Sequence, residues 1–428
     1  MLSTAGTTTI GTGGGALQID GTIDGTSSQA ENLTITTGAG SLTIGGTIGG
    51  TNPLTTLSIA GSGAGAIDLA GIGDSDTAGA TGTTTVGNTT TTTLTLSGTI
   101  YKTDDSQTYV AKTGQNIDIT DAATFTTTND AVAFNTAGVD LINGNAGGAH
   151  TITVDTGTGA GAVTFGGAIE SDGGNDETLT ITSGTGTVTF TGALGATQEL
   201  GGLNVNASSG NGIITFTGAI GDTNAPQAGV IGTSNIGNTA TTRIDLDGGL
   251  YSFDGTTTFE TTSGETVAVG ATVTVENTAN SLSFSGGDIN LDDGANLTVS
   301  TNGGAITVNG IYGVSSETVS INANHSGGDN SSTAETVNIT GNIGNADEIL
   351  SVAVTGRDGI TLTGGGSGIT IDTADAANPN ISFTGPVTVS GGVTVTSDNS
   401  TNDGTLGFSS TIDGLSLIHI SEPTRRTS

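Results

Sequence analysis

Carboxylates are the side chains of this chain with the clearest capacity for chemistry, because its 428 residues include 40 Asp and Glu, no Cys and 3 His. Two close pairs, Asp118 with Asp121 and Asp245 with Asp247, could in principle serve as the acid and base of a glycoside hydrolase. Enzymes that cleave acidic polysaccharides also need cationic side chains along the binding groove. Before residue 415 such side chains are few and scattered: Lys102, Lys112, Arg243, Arg357, His150 and His325. We therefore predict no catalytic residues and no enzymatic activity.

Two acidic turns could offer oxygen ligands to calcium. One is Asp172 to Glu177, which reads DGGNDE, and the other contains Asp292 and Asp293. A calcium site needs six to eight oxygens in a fixed arrangement, and neither an EF-hand loop nor a GGxGxDxUx nonapeptide occurs in the sequence. The sequence thus predicts no metal site and no cofactor, although calcium could bind loosely to these turns.

Two further motifs resemble known binding sites but lack the neighbouring sequence features that those sites require. Gly11–Ala16 reads GTGGGA and fits the dinucleotide fingerprint, but no helix pattern follows to receive a pyrophosphate. The paired threonines at Thr189–Thr191 and Thr215–Thr217 resemble the flat faces of ice-binding proteins, yet the equivalent unit has Thr164 followed by Gly166. Threonine also simply favours strands. The sequence predicts neither activity.

The charge of the chain limits its partners. The formal net charge is −34 and the isoelectric point is about 4.1, so the surface repels nucleic acid and anionic lipid. No apolar run approaches the roughly 20 residues of a membrane-spanning helix, and the start MLSTAGTTTIGTGGG has neither a basic nor an apolar signal region. We expect no nucleic-acid binding and no membrane insertion, and we expect any secretion signal to lie outside this sequence.

One recurring sequence phrase defines the secondary-structure elements that must position the carboxylates and threonines described above. It alternates apolar and other residues, as in LQIDGTID or VTFTGALG, and then places Gly at the fifth position. It begins at Leu17, Leu42, Leu94, Val163, Val188, Ile214 and Val337. The spacing from Leu17 to Leu42 and from Val163 to Val188 is 25 residues. A fixed period of this length indicates stacked structural repeats.

Each phrase predicts a short strand with one buried face, because its apolar residues alternate with period two. Units of this length can stack as coils of three strands, each coil pairing in parallel with the next. The sequence therefore predicts an all-β parallel β-helix of about 25 residues per coil, with about 16 coils. It places this repeat region at residues 17–414, after an N-terminal edge at 1–16. An antiparallel array of β-sandwich modules is the alternative.

A longer period overlies the short one. Residues 86–145 align without a gap on residues 236–295, an offset of 150, so that Tyr101 matches Tyr251 and Leu96 matches Leu246. No helical periodicity interrupts either segment. The repeat region is therefore predicted to contain a superrepeat of about 150 residues.

The phrase VTFTGALG, repeated on a Thr-, Gly- and Ala-rich background without Cys or Trp, carries a family resemblance. It resembles large bacterial extracellular β-strand-repeat proteins, namely the filamentous-haemagglutinin-like and autotransporter-passenger adhesins. That resemblance implies a right-handed β-helical stalk or adhesin, secreted or displayed on a bacterial cell surface. Its expected partners are receptors or glycans of a host, a neighbouring cell or a matrix. The alternatives are a polysaccharide-active β-helix enzyme and a calcium-binding extracellular matrix protein.

The last residues differ from the body. Leu415 to Arg425 reads LSLIHISEPTR and resembles the conceptual translation of a transposase-type sequencing adapter. We therefore expect residues 415–428 to be a non-native tail, so that His419 and the two terminal arginines belong to no site. If the natural sequence is cut near Gly414, open strand edges should favour end-to-end self-association of the fragment.

Overall fold

The computed structural model describes residues 2, 5–26, 30–59, 65–135, 138–141, 149–172, 174, 177–207, 209–222, 228–278, 280–314, 316–324, 334–345, 348–373, 379–397, 404–414 and 419–420. Within these ranges the regular elements are all β-strands. The described residues contain no helix that could span a membrane. The chain divides into two compact units, Met1–Gly218 and Ala219–Ser428.

The strands of the first unit are short, and most have three to six residues. They are β1 (Gly6–Gly11), β2 (Leu17–Ile19), β3 (Glu31–Thr36), β4 (Leu42–Ile44), β5 (Thr56–Ile59), β6 (Ile67–Leu69), β7 (Thr84–Gly87), β8 (Leu94–Leu96), β9 (Ile100–Lys102), β10 (Gln107–Val110), β11 (Asn116–Ile119), β12 (Thr124–Thr126), β13 (Val132–Asn135), β14 (Gly138–Leu141), β15 (Thr151–Asp155), β16 (Val163–Phe165), β17 (Ile169–Glu170), β18 (Thr178–Thr182), β19 (Val188–Phe190), β20 (Gly202–Val205) and β21 (Ile213–Phe216).

The second unit has strands of the same kind. They are β22 (Ser234–Gly237), β23 (Arg243–Leu246), β24 (Leu250–Phe253), β25 (Thr257–Glu260), β26 (Thr266–Val269), β27 (Val273–Asn277), β28 (Leu282–Ser285), β29 (Asp288–Leu291), β30 (Leu297–Thr301), β31 (Ile306–Val308), β32 (Ile311–Tyr312), β33 (Thr318–Asn322), β34 (Thr336–Ile339), β35 (Ser351–Thr355), β36 (Gly359–Thr363), β37 (Ile369–Asp372), β38 (Asn380–Thr384), β39 (Val387–Ser390), β40 (Val393–Thr396), β41 (Thr405–Phe408), β42 (Ile412–Gly414) and β43 (His419–Ile420).

Parallel pairing of these strands confirms the predicted β-helix. In the first unit, ladder 1 joins β1, β3, β5, β7, β10, β13, β16, β19 and β21, ladder 2 joins β2, β4, β6, β8, β11, β14 and β17, and ladder 3 joins β9, β12, β15, β18 and β20. From β7 to β18 every third strand enters the same ladder, so one coil contributes one strand to each. The antiparallel β-sandwich alternative is wrong for the described strands, because these strands pair in parallel.

The second unit repeats this arrangement. Ladder 4 joins β22, β25, β28, β31, β34, β36, β39 and β42, ladder 5 joins β23, β26, β29 and β32, ladder 6 joins β24, β27, β30, β33, β35, β38 and β41, and ladder 7 joins β37, β40 and β43. Paired residues lie about 25 positions apart and the two units together make about 14 turns, fewer than the 16 expected. The difference arises because some turns are longer, as where Val132 pairs with Val163 and Ile321 with Val354.

The interior of each unit is filled by the inward side chains of the alternating strands. Equivalent positions of successive turns carry the same kind of residue, so like side chains stack in columns. One such column, here called the aromatic column, consists of Tyr109, Phe134, Phe165, Phe190 and Phe216 in ladder 1. Consecutive rings are 5.3, 4.9, 5.6 and 4.8 Å apart and nearly parallel. Offset stacking of this kind adds to the burial of the rings.

The corners explain the abundance of Thr, Ser and Gly. At one corner the Ser183 hydroxyl donates to the Gly186 carbonyl at 2.7 Å, and the Gly186 amide donates back to the Ser183 carbonyl at 2.8 Å. The Thr301 hydroxyl donates to the Gly304 carbonyl at 2.6 Å in the same way. A short hydroxyl side chain thus closes the turn by bonding to its backbone. Within a strand the same hydroxyl would compete with the hydrogen bonds of strand pairing.

Residues 150 positions apart have matching surroundings. The Tyr101 hydroxyl accepts from the Gly98 amide at 2.9 Å, and the Tyr251 hydroxyl accepts from the Gly248 amide at 2.7 Å. Left-handed glycines recur with the same offset: Gly87 (φ 78°) with Gly237 (φ 82°), and Gly114 (φ 77°) with Gly264 (φ 88°). Burial raises the pKa of Tyr101 and that of Tyr251 well above the ordinary value of a tyrosine. The two segments of the superrepeat therefore use the same buried hydrogen bonds.

The two ends of the chain can be described only in part. β1 already pairs with β3, so parallel pairing starts before Leu17. In the C-terminal tail the described residues are His419–Ile420, which pair with Thr394–Val395. The other tail residues and His325 lie outside the described residues. That the tail derives from an adapter stays a prediction from the sequence.

Candidate functional site

An acidic ladder on the outward side of ladder 2 is the most concentrated set of functional groups in the first unit. Strand register places Asp68, Thr95, Asp118, Asp140 and Glu170 side by side in five successive turns. Adjacent parallel strands are about 4.8 Å apart. The carboxylates of Asp118, Asp140 and Glu170 therefore occupy consecutive places on one line.

The pKa values of two carboxylates in the acidic ladder, Asp118 and Asp140, are raised. Burial, and then the charge of Asp140, raise the pKa of Asp118. Burial also raises the pKa of Asp140, although the Asn116 amide donates to its carboxylate at 2.6 Å and opposes this shift. Such a line of like charges attracts cations. Among the described residues, however, no three His, Asp or Glu side chains converge as they would around a metal ion.

The two carboxylate pairs weighed for catalysis have separate surroundings. Asp118 belongs to the acidic ladder, whereas Asp121 lies 3.5 Å from His150 Nδ1. In the second unit Asp245 forms an ion pair with Arg243. Burial and then the charge of Asp245 raise the pKa of Asp247. That no residue of this chain is catalytic stays a prediction.

The full burial of four glutamates is a feature that the sequence reasoning missed. Each is the first residue of a strand or directly precedes one, in the segments ENLTI, ETLTI, ETVSI and ETVNI: Glu31, Glu177, Glu317 and Glu335. Their common pattern, Glu followed by an apolar residue at the second position and Ile at the fourth, was a signal that could have found them. A buried carboxylate needs hydrogen bonds or a counter-charge. The neighbouring turns supply these partners.

Glu317 shows how such a carboxylate holds a turn. Its Oε2 atom accepts from the amides of Val314 at 2.6 Å and Ser316 at 3.1 Å, and its Oε1 atom accepts from the Gly294 amide at 3.0 Å. Although burial opposes ionisation, these bonds lower the pKa of Glu317 to about 2. The charged side chain thus connects its own turn to the preceding one.

The other three buried glutamates have partners nearby in the chain or in the next turn. Hydrogen bonds from Thr26, foremost from its hydroxyl, lower the pKa of Glu31 against the effect of burial. Glu177, the last residue of the acidic turn at 172–177, is buried and accepts from the Ser171 hydroxyl. Glu335 Oε2 lies 3.3 Å from Arg357 Nη1.

In the second acidic turn, Asp293 accepts from the Ser316 hydroxyl at 3.2 Å.

Replacing Glu317 with Gln is expected to lower the free energy of unfolding by about 2 kcal/mol at neutral pH. The amide keeps one acceptor but presents a donor towards backbone donors, and hydrogen bonds to charged groups contribute about 1.5–3 kcal/mol. Because the folded pKa of about 2 lies below the ordinary value of 4.5, this stabilisation is present above pH ~4.5 and lost as pH falls towards 2. Urea unfolding at several pH values measures it.

Glu265→Gln is the matched control, because Glu265 stands in the similar segment ETVAV but is exposed. Its unfolding free energy should change by less than about 0.5 kcal/mol. Equal effects of the two variants, or a Glu317→Gln protein whose acid unfolding matches that of the unmodified chain, would contradict the anchoring role of Glu317.

Some of the threonines considered for ice binding occupy adjacent positions along one ladder. Thr164, Thr189 and Thr215 are adjacent on the outward side of ladder 1, but Ala133 interrupts this line one turn earlier. GTGGGA lies at the end of β1, where Gly13 and Gly14 have positive φ and form a turn.

No family model matches the chain, and neither a curated protein nor a solved structure is similar to it.

Proposed function

We propose that this chain is a non-catalytic, structural and adhesive part of a secreted or surface-displayed bacterial repeat protein. The β-solenoid fold is compatible with a repeat adhesin or stalk. The observation that carries the proposal is the general segregation of large apolar and short polar side chains between the two sides of the ladders. Large apolar residues fill the interior, as Phe165 and Phe190 do, while outward positions carry short Thr, Ser, Asn and Asp side chains. Such a scaffold is extended by adding turns, because each turn contacts only its neighbours.

One feature favours this function over catalysis. The carboxylates weighed for catalysis have structural partners or neighbours of like charge, as Asp121 has in His150. The acidic ladder supports a second candidate function, calcium binding in an extracellular matrix, because lines of carboxylates attract divalent cations. Surface location follows from the family resemblance and the acidic composition, and it is a proposal.

Polystyrene beads coated with the purified chain are expected to adhere to a bacterial, epithelial or matrix-coated surface at least fivefold more than beads coated with serum albumin. Exposed short polar side chains on a rigid scaffold provide a large contact area at a small cost in side-chain entropy. Microscopic counting of retained beads under flow measures this adhesion. Beads coated with heat-unfolded chain are the control for non-specific adsorption.

The alternative functions make opposite predictions for the same protein. Release of reducing ends from a polysaccharide panel, abolished in Asp118→Asn or Asp245→Asn, would establish the enzyme and overturn the proposal. A large rise of the melting temperature in millimolar calcium would favour the matrix protein, because a ligand stabilises the state that binds it. Retention no greater than with albumin on all three surfaces would refute the adhesive function.

A further inference from the structure

A five-residue turn occurs in both copies of the superrepeat, 150 positions apart. It reads GNTTT at Gly87–Thr91 and GNTAT at Gly237–Thr241. In each copy the amide of the asparagine donates to the hydroxyl of the last threonine at 3.0 Å, and that threonine is fully buried. The two residues between them are exposed. The turn is therefore anchored in the fold at one end and presents its middle to solvent.

One difference between the two copies changes what the turn can do. The first copy contains Asn88 followed by Thr89 and Thr90, which is the Asn-x-Thr tripeptide required of an acceptor for N-linked sugars. In the second copy Asn238 has Ala240 at the place of Thr90, so the tripeptide is lost. The chain thus carries a candidate modification site and a natural comparison for it in the same backbone setting.

The side chains of the first copy are arranged for reaction at the amide nitrogen. Asn88 Oδ1 accepts from the Thr90 amide at 2.8 Å and from the Thr90 hydroxyl at 2.6 Å. Asn238 Oδ1 accepts from the Ala240 amide at 2.7 Å, and alanine has no hydroxyl to add. The nitrogen of a carboxamide is a weak nucleophile because resonance shares its lone pair with the carbonyl. Two donors on Oδ1 draw charge onto the oxygen, so that Nδ2 of Asn88 gives up a proton more readily and can then attack.

The same tripeptide has different surroundings elsewhere in the described part of the chain. Asn32, Asn296 and Asn338 each accept from a threonine hydroxyl of the following turn, at 2.7, 2.7 and 3.2 Å. Asn206 is fully buried. Along an extended strand, residues two positions apart are ~6.8 Å apart, so the asparagine and the hydroxyl of one tripeptide do not meet there. The turn at Asn88 brings them into contact.

We propose that Asn88 is an acceptor site for an N-linked sugar, which a glycosyltransferase transfers from a nucleotide-activated hexose. Nδ2 of Asn88 forms a bond to C1 of the sugar, and the bond between C1 and the phosphate oxygen breaks. The nucleoside diphosphate leaves with the electron pair of that bond, and one Nδ2 proton passes to a base of the transferase. This site goes beyond the adhesive function and does not depend on it, because modification requires only contact with such an enzyme.

Incubation of the folded chain with UDP-glucose and a soluble N-glycosyltransferase tests the site. The enzyme is first shown to modify a synthetic peptide of residues 84–94, so that a negative result concerns the folded chain and not the enzyme. Peptide mapping by mass spectrometry then measures hexose at each asparagine. Asn88 should carry at least five times the hexose of Asn32 or Asn338. After heat unfolding, which removes the difference between turn and strand, the three occupancies should lie within twofold of each other.

Two substitutions in the turn separate its chemistry from its shape. Thr90→Ala should lower the hexose on Asn88 at least tenfold and leave the melting curve unchanged, because the second copy of the turn has alanine at this place. Ala240→Thr is the reciprocal variant, and it should add hexose to Asn238, which carries none in the unmodified chain.

Three results would overturn the proposal. One is a folded chain without hexose on Asn88, given an enzyme that modifies the peptide. Another is equal hexose on Asn88 and on Asn32 in the folded chain, which would mean that the turn confers no preference. The third is an Ala240→Thr chain that gains no hexose on Asn238. Adhesion of the coated beads is measured on unglycosylated chain, so none of these results bears on the adhesive function.

Discussion

Replacing Phe165 with Ala is expected to lower the free energy of unfolding by about 3–5 kcal/mol, the range measured when a buried aromatic ring is removed. Phe165 is about 1% exposed, and its ring stacks between Phe134 at 4.9 Å and Phe190 at 5.6 Å. The strands on both sides are fixed by parallel pairing, so they cannot collapse freely into the space left by the ring. Urea unfolding monitored by circular dichroism measures the change.

Two control variants test whether the loss of stability in Phe165→Ala comes from the removal of a buried, stacked ring. Phe165→Leu retains most of the volume and should cost about 1.5 kcal/mol or less. Phe408→Ala removes a half-buried ring that, among the described residues, stacks on Phe383, and it should cost less than half as much as Phe165→Ala. A loss below about 1 kcal/mol in Phe165→Ala would mean that the aromatic column is not a main source of stability.

Replacing Gly192 with Ala is expected to cost about 3 kcal/mol or more, although only one methyl group is added. A Cβ atom at this position would lie 2.3 Å from the Gly167 carbonyl carbon and 2.4 Å from the Ala168 amide nitrogen. Both atoms belong to the backbone of the preceding turn, so relief requires the two turns to separate. Overpacking of a rigid site typically costs 1–3 kcal/mol, occasionally more. The melting temperature and urea midpoint should both fall.

Gly249→Ala is the control for this substitution. No heavy atom lies within 4 Å of a Cβ built at Gly249, so the added methyl group meets open space. Its main effect is on the unfolded chain, whose entropy it reduces, and the protein should be stabilised by up to about 1 kcal/mol. Indistinguishable melting temperatures for the two variants would show that adjacent turns are not in contact at Gly192.

The sequence was sufficient to predict the fold because its local and global patterns agree. The alternation in Leu17–Ile19 and Val163–Phe165 defined strands with one buried side, and the 25-residue spacing defined their partners. Register then follows, because a slip by one residue would bring polar side chains into the interior. The number of turns was overestimated, since positions between strands carry no periodic signal.

The acidic ladder could not be foreseen in the same way. Asp118 and Asp140 are 22 positions apart, whereas the pairs singled out from the sequence, such as Asp118 with Asp121, are close only along the chain. In a parallel ladder, proximity depends on register between turns. The buried glutamates were missed because Glu is usually exposed, and burial of Glu317 depends on amides of Val314 and Gly294.

The unequal lengths of the turns bear on how such a protein can change over generations. Val132 pairs with Val163 and Leu17 with Leu42 in the same parallel manner, although the first pair is six positions further apart in the chain. Extra residues between strands leave the paired residues in register, and longer loops add little to the entropy of closure. Insertions and deletions at these places should therefore be close to neutral for folding. Lineages can diversify their exposed segments, and peptides of choice can be grafted there, without redesign of the strands.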